Sequence, residues 1–365
     1  MNKILKNIRR KFDRFRIIAA HTHNGLFHAD EVSGTALLLA IVTEGNWESP
    51  LPGEDFSKSI CRVDVDKNEV TFQSDGHKLH VLRTRDGDLA KDFFRAHEGH
   101  MHVTLDVGGE YDVEVNDQLK LDHHQADFEM VQDIDGQEIS YSSFGLAWGH
   151  LGQPFIERVF GASTEEAKQI HEIVRKRLVA FVDGVDSGTW PYEPDRVYSY
   201  SHLISTLMPS VKSGECKKIN NAFAKAVCVA YENLMLVTQK AFDRVVKIPR
   251  IITSALEEQH GEILVLDEYI HWADDLPILD PEKRVKFVIY PDLNDDWMVQ
   301  SVPVPEEGRF ANRKALPEEW AGYRDTQLAS ITGVKDAIFC HKQRFIGGAH
   351  SQDGALRLAE LALLS

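Results

Sequence analysis

Four separate segments of the chain carry histidine or carboxylate side chains that suit metal binding. Imidazole and carboxylate groups without a thiolate suit Mn²⁺, Mg²⁺, Fe²⁺ or Zn²⁺ rather than Cu⁺ or a structural cysteine–zinc site. The segments are HNGLFHAD from His23, the aspartate of LDVGG, the triplet DHH, and VDGVDSG. The candidate metal ligands in them are His23, His28, Asp30, Asp106, His123, Asp183 and Asp186, with Asp122 and His124 beside them.

These residue types predict phosphoester hydrolysis with two bound metal ions. A carboxylate such as Asp106 can bridge both ions. Ions about 3.5–4 Å apart would hold a phosphoryl group and lower the pKa of a bridging water. The resulting hydroxide would attack phosphorus in line with the leaving oxygen.

The elements that must position these residues read as alternating strands and helices. Strands are predicted at 16–20, 102–107 and 119–121, and each is followed by one of the polar segments. Helical spacing predicts helices at 30–42 and 165–182, the second with a capping box formed by Ser163 and Glu166. This alternation favours an α/β sheet covered on both faces, with a site beyond the carboxyl ends of its strands.

The chain of 365 residues is long enough for two domains, which we place at 17–205 and 206–365. The second unit is predicted from a helix at 217–240, strands at 262–266, 285–290, 297–302 and 337–340, and a closing helix at 353–364. The segment 1–16 carries seven basic residues and one acidic residue. It reads as a solvated basic helix, a targeting helix or a nucleic-acid arm.

Composition excludes several classes of protein. No apolar run approaches the ~20 residues that cross a bilayer. Four dispersed cysteines without a C-x-x-C pair indicate a reduced, cytoplasmic protein rather than a disulfide or cysteine–zinc framework. The net charge of −16 argues against non-specific duplex binding over a broad basic surface, although it does not exclude a local basic channel.

The ordered motifs resemble the melanocyte-proliferating-gene (Myg) family, a branch of the DHH phosphoesterase superfamily. The resemblance rests on HNGLFHADE, LDVGGEYD, LDHHQADF, SSFGLAWGHLG and FVDGVDSG, and continues through WMVQSVPVP, FANRKALPEEWAG and FIGGAHSQDGALRLA. It spans about residues 17–365. It implies an α/β fold with a parallel-sheet DHH-type catalytic domain, a smaller α/β C-terminal substrate domain, and an active site between them.

The resemblance also implies roles for individual residues. His23, His28, Asp30 and His123 would bind metal, and Asp106 would bridge two ions. His28 stands where most superfamily members have aspartate. The fourth motif would supply either Asp183 or Asp186.

Two further residues of the third motif would take part in catalysis. Asp122 would orient a neighbouring histidine or bind metal weakly. His124 would face the phosphate as a hydrogen-bond donor or general acid.

The C-terminal unit carries its own signal. Gly347 and Gly348 resemble the glycine-rich substrate loop of the DHH-associated domain, in which backbone N–H groups can hold a phosphate. Arg344 and His350 could neutralise phosphate charge, and Arg313 is a weaker candidate for the same role.

The predicted function is that of a metal-dependent phosphodiesterase, a 3′–5′ exonuclease on single-stranded RNA or short oligonucleotides. The expected cofactor is a pair of Mn²⁺ ions, with Mg²⁺, Fe²⁺ or Zn²⁺ as alternatives. No membrane partner is expected, and the sequence does not decide whether the protein forms a homodimer. One rival function is hydrolysis of a small phosphoanhydride or nucleotide, such as pyrophosphate, and the second is metal binding without catalysis.

Overall fold

The computed structural model describes residues 16–48, 61–113, 118–190, 199–210, 212, 214–304 and 311–365. The basic segment predicted at 1–16 lies outside these residues except for Arg16. The chain divides into two compact units, Met1–Phe242 and Asp243–Ser365. No helix in the described part of the chain has the length and apolar character needed to span a membrane.

The first unit is built on a seven-stranded sheet in the order β2-β3-β4-β1-β5-β7-β6. Strands β4, β1, β5 and β7 are parallel, and the three remaining strands add antiparallel pairs at the two edges. The strands are β1 Ile17–Thr22, β2 Arg62–Val65, β3 Glu69–Ser74, β4 His77–Arg83, β5 Met101–Leu105, β6 Tyr111–Asp112 and β7 Gln118–Leu121; β8 Val131–Ile134 and β9 Gln137–Ser140 form a separate hairpin.

The helices of this unit surround a fully buried central helix. Every residue of α1 is buried, because it packs against the sheet and against two other helices, α3 and α7. A helix that is apolar on all sides belongs in a protein interior. The helices are α1 Ala29–Val42, α2 Gly87–Ala96, α3 Ser143–Phe160, α4 Thr164–Val174, α5 Ala180–Asp186, α6 Tyr200–Thr206 and α7 Cys216–Phe242.

The predicted helix at 165–182 contains an unpredicted irregularity. Helix α4 begins with the predicted capping box: the side chain of Ser163 accepts from Glu166 N, and Glu166 accepts from Ser163 N. A π-helical segment, Arg175–Val179, then separates α4 from α5. Each residue of an α-helix turns the chain by about 100°, so an inserted residue rotates everything that follows.

The second unit contains a five-stranded sheet in the order β10-β11-β12-β14-β13. Alternate residues of β11 enter two apolar clusters, one with Phe287 and Ile289 and one with Val288 and Tyr290. Its elements are a π-helical segment Asp243–Lys247, α8 Ile248–Glu258, β10 Ile263–Val265, α9 Leu276–Leu279, β11 Phe287–Pro291, β12 Trp297–Ser301, a 3₁₀ turn Glu318–Trp320, α10 Asp325–Thr332, β13 Ala337–Cys340, β14 Ile346–Ala349 and α11 Gln352–Leu364.

The predicted α/β class is confirmed, but the boundary between the units differs from the prediction. We placed it at 205/206, whereas the structure divides at 242/243. The reason is that α7 packs on α1 and completes the first core. Its sequence shows an amphipathic helix but not which core the helix covers.

Candidate metal centre

The polar segments meet at the carboxyl ends of the parallel strands. His23 follows β1, Asp106 follows β5, and His123 belongs to the segment after β7. Strand pairing aligns these ends, since Thr22 pairs with Arg83 and Leu105 pairs with Leu121. The predicted convergence at this edge of the sheet is observed.

His23 and Asp106 lie at the centre of the cluster. The Nε2 atom of His23 is 3.1 Å from Glu31 Oε1 and 3.2 Å from Asp106 Oδ2. Asp106 Oδ1 is 3.2 Å from His123 Nε2. Asp106 adopts a left-handed backbone conformation with φ 56°, which Asp tolerates better than most residues and which aims its carboxylate into the cluster.

Glu31 is a site residue that the sequence reasoning did not identify. It is fully buried, and both of its carboxylate oxygens accept from the backbone N–H of His28 at 2.9–3.0 Å. His28 is the N-cap of α1, so His28 and Glu31 form a capping box. The spacing of these two residues is the sequence signal that would have indicated this geometry.

Three overlapping groups of side chains could each hold a metal ion, because their ligand atoms lie within 4.8 Å of one another. Asp106 belongs to two of the groups, and His28 also belongs to two. The groups are His23, His28, Glu31 and Asp106; Asp106, His123 and His124; and His28, Asp30 and Asp186.

Asp186, rather than Asp183, joins these groups. Asp186 Oδ2 is 3.3 Å from His123 Nε2, and the Asp186 side chain is 19% exposed. Asp183 is fully buried and accepts hydrogen bonds from Ser142 Oγ at 2.6 Å, from Gly145 N at 3.0 Å, and from Gln132 Nε2. Asp183 therefore lies in an interior hydrogen-bond network, and we propose Asp186 as the ligand of the fourth motif.

The segment SSFG, residues 142–145, donates hydrogen bonds to two buried aspartates. Ser143 Oγ donates to Asp30 Oδ2 at 2.8 Å, and Ser142 and Gly145 hold Asp183. A Cβ atom on Gly145 would lie 2.0 Å from Asp183 Oδ2, so only glycine leaves room for this carboxylate.

Asp122 holds the outermost histidine of the cluster. Its buried carboxylate accepts from His124 Nδ1 at 2.8 Å and from Gly109 N at 2.6 Å. The His124 side chain is 63% exposed and lines the cavity next to the cluster. Asp122 thus has the geometry of an orienting residue.

The carboxylates are held in an environment that disfavours negative charge. Burial raises the pKa of Asp30, and it raises the pKa of Glu31 and of Asp186 to about 8. Although burial alone would raise it, the His123 and His23 imidazoles lower the pKa of Asp106.

The pKa values of the two histidines rise, in the direction opposite to that of Asp106. Burial alone would lower their pKa, but neighbouring carboxylates raise the pKa of His23 to about 10 and that of His123 to about 9. Buried carboxylates at this density need compensating positive charge.

A divalent ion fits the buried ligand atoms of the cluster. Asp30 Oδ1, Asp106 Oδ1 and His123 Nε2 are buried and form no well-aligned hydrogen bond among the described residues, although Asp106 Oδ1 and His123 Nε2 lie 3.2 Å apart. Buried polar atoms normally form hydrogen bonds, so three ligand atoms in one cluster that form none indicate that a cation binds them. Carboxylate oxygen and imidazole nitrogen are the donors that the predicted metals accept.

The prediction of a glycine-rich loop in the second unit is wrong. Gly347 and Gly348 lie in β14, between β12 and β13. A Cβ atom on Gly347 would lie 2.9 Å from Phe339 O, and one on Gly348 would lie 3.0 Å from Met298 Cε. Close packing within the sheet explains both glycines.

The predicted cations of this unit are separated. Arg344 precedes β14 and His350 follows it, so the two residues lie beyond opposite ends of this strand. His350 Nδ1 is 2.7 Å from Asp296 Oδ1. Arg313 is buried in an ion pair with Asp280, so it is not part of the substrate-binding group that we propose below.

The buried carboxylate–imidazole cluster at the carboxyl edge of a parallel sheet defines an α/β protein with a candidate divalent-metal centre. The chain belongs to the MYG1 family, whose model, described as an uncharacterised protein family (UPF0160), matches residues 19–363. The resemblance predicted from the ordered motifs is confirmed by this match.

Relatives match along most of the chain. A Dictyostelium discoideum MYG1 protein is 29% identical over 93% of this chain and 94% of its own length. A Mus musculus protein named MYG1 exonuclease is 27% identical over 94% of this chain and 84% of its own length. Among solved structures, an exopolyphosphatase-related protein from Bacteroides fragilis covers 100% of this chain and 96% of its own at 12% identity, with a TM-score of 0.24. A score this low supports no conclusion about fold or function.

Proposed function

We propose that this protein is a metal-dependent phosphodiesterase, a 3′–5′ exonuclease that acts on single-stranded RNA or short oligonucleotides with two Mn²⁺ ions. The protein is a hydrolase of the MYG1 family, and the mouse and human relatives are named MYG1 exonuclease. The substrate and the number and identity of the ions are the finer parts of the proposal.

One observation carries the proposal: three buried ligand atoms that form no well-aligned hydrogen bond among the described residues belong to one cluster, and the cluster borders an open cavity. Asp106, His123 and Asp186 all line this cavity. A cation held by these atoms would therefore be accessible to a substrate, as catalysis requires and a closed structural site does not.

The overlap of the ligand groups supports two ions rather than one. Asp106 contributes to the group of His23 and Glu31 and to the group of His123 and His124. Its two oxygens lie on different sides, since Oδ2 is 3.2 Å from His23 Nε2 and Oδ1 is 3.2 Å from His123 Nε2. This is the placement that a bridging carboxylate needs.

Bound divalent ions would supply positive charge to the phosphate oxygens and acidify a water molecule. The side chains around the cluster have separate tasks. Asp30 and Glu31, both fully buried, hold their positions through Ser143 and through the His28 backbone. Their negative charge favours cation binding while leaving the cavity side open.

We assign to His124 the role of giving a proton to the leaving oxygen. Asp122 accepts from its Nδ1 atom, which fixes the ring and leaves Nε2 available to a substrate.

In the second unit, Arg344 and His350 are proposed to contact substrate, whereas Gly347 and Gly348 are buried in β14. Arg344 and His350 would contact different phosphates because they lie at opposite ends of β14. An oligonucleotide carries several phosphates along its chain that could contact separate cations, whereas pyrophosphate does not. The Arg344→Ala variant is expected to raise KM with folding preserved.

The proposal is tested by comparing product release from a 5′-labelled RNA 10-mer, a dinucleotide and pyrophosphate in MnCl₂. We expect stepwise shortening of the 10-mer from its 3′ end and cleavage of the dinucleotide. Fast pyrophosphate turnover without oligonucleotide cleavage would instead favour the small-phosphoanhydride reading. No cleavage of any substrate, with metal bound, would favour metal binding without catalysis.

A further inference from the structure

The cavity beside the candidate metal centre is larger than one phosphate requires. Its volume of about 780 Å³ is of the size that takes a nucleotide-sized ligand. Its lining combines the cluster with the apolar side chains of Phe27 and Val185 and with one cation, Arg85. Among the described residues, Arg85 is the one Lys or Arg that lines it.

The sheet places Arg85 next to the metal-binding loop. Strand β4 is parallel to β1, with Arg83 paired with Thr22, and Thr84 N donates to Thr22 O at 2.9 Å. Arg85 therefore leaves β4 at the edge where His23 leaves β1. The next residue, Asp86, caps α2 and fixes the backbone on the far side of Arg85.

Arg85 is available to an external anion. Its side chain is exposed and forms no ion pair or hydrogen bond with any described residue. By contrast, the exposed Arg95 of α2 pairs with Asp92 at 2.9 Å. Arg85 lines the same cavity as Asp106 and Asp186, but these carboxylates contact His23 and His123 and do not pair with Arg85.

A second unsatisfied donor lines the same cavity. The hydroxyl of Ser201 is buried and has no hydrogen-bond partner among the described residues. Helix α6, which carries it, is anchored to α1 by a 2.9 Å hydrogen bond between Tyr200 Oη and Ser33 Oγ. A buried hydroxyl without a partner is uncommon and indicates that a ligand or water completes it.

We infer that Arg85, assisted by Ser201, binds a second phosphate of the substrate, one that is not cleaved. This inference rests on the proposed function, in which the scissile phosphate lies at the carboxylate–imidazole cluster. A guanidinium binds phosphate through two parallel hydrogen bonds. The substrate class is therefore an oligonucleotide with a phosphate next to the scissile linkage, rather than an isolated phosphodiester.

The test measures how tightly the full-length protein binds analogues of the dinucleotide ApA in MnCl₂. In each analogue a methylene group replaces the 3′ bridging oxygen of the linkage, which prevents cleavage. One analogue carries a 5′-phosphate, one a 3′-phosphate and one neither. We expect the wild-type protein to bind one phosphorylated analogue about 10–100-fold more tightly than the unphosphorylated one. Arg85→Gln should reduce this preference to about 3-fold or less, and Arg85→Lys should retain part of it.

Arg95→Gln is the matched control, because it removes a similarly exposed arginine whose partner is Asp92, and it should keep the full preference. An unchanged preference in Arg85→Gln would overturn the inference. So would a wild-type protein that binds all three analogues equally or none of them. If the natural dinucleotide is not cleaved while the preference depends on Arg85, the proposed catalytic function fails but the phosphate site stands.

Discussion

The two aspartates of the VDGVDSG motif should respond in opposite ways to removal of their carboxylates. Asp183→Ala leaves the N–H groups of Ser142 and Gly145 and the amide of Gln132 without their acceptor in a fully buried position. Asp186→Ala removes a side chain that contacts the cluster and the cavity. The first change should therefore damage the fold and the second the metal site.

The structure sets the size of the expected difference. Each buried donor left without a partner costs about 1–3 kcal/mol, so Asp183→Ala should lower the free energy of unfolding by about 3–5 kcal/mol. For a unit of this size, that corresponds to a fall in Tm of roughly 5–15 °C. Asp186→Ala should change the free energy of unfolding of the metal-free protein by less than about 1 kcal/mol, because His123 Nε2 keeps its 3.2 Å contact with Asp106 Oδ1.

Two assays on the same preparations separate these effects. Thermal unfolding in EDTA measures stability, and calorimetric titration with MnCl₂ measures metal affinity. Losing a residue that supports a metal ligand typically weakens metal binding about 10–100-fold, and Asp186→Ala should weaken Mn²⁺ binding at least this much. Folded Asp183→Ala should bind Mn²⁺ with nearly the affinity of the wild type. A normal Mn²⁺ affinity in Asp186→Ala, together with a lost affinity in folded Asp183→Ala, would refute the assignment.

Three other variants test separate parts of the structure. Asp106→Asn keeps a residue that tolerates a positive φ but removes the bridging charge, so activity should vanish while circular dichroism stays native; wild-type turnover would exclude the bridge. Gly145→Ala places a Cβ atom 2.0 Å from Asp183 Oδ2 and should lower Tm in EDTA, whereas an unchanged Tm would contradict this packing. Arg313→Leu leaves Asp280 buried and unpaired, so chemical denaturation should show a loss of about 3–5 kcal/mol with normal Mn²⁺ affinity. A stable Arg313→Leu variant with raised KM would return Arg313 to the substrate site.

The position of the candidate site at the edge of the sheet was predictable from the sequence, because local patterns determine it. The strand before His23 and the segments LDVGG and LDHH each show an apolar run that ends in polar residues, and parallel strands bring such ends together. The capping box of Ser163 and Glu166 was predictable for the same reason, since it involves residues three positions apart.

The remaining features depend on contacts that no local pattern encodes. The π-helical segment Arg175–Val179 rotates α5, so helical periodicity extended from 165–182 cannot show whether Asp183 or Asp186 faces the cavity. Helix α7 is amphipathic in either unit, which is why the boundary was misplaced. Gly347 and Gly348 suit a phosphate loop and a tightly packed strand equally well, and only the neighbouring side chains of Phe339 and Met298 distinguish the two.

The central claim is that the buried side chains of Asp30, Asp106 and His123 bind divalent metal next to the substrate cavity. The most direct measurement is the anomalous scattering of a crystal grown in MnCl₂. The account predicts manganese peaks about 2.0–2.3 Å from Asp106 Oδ1 and His123 Nε2, with Asp106 shared between two peaks. Manganese bound elsewhere, or none at these atoms with the cluster intact, would contradict it.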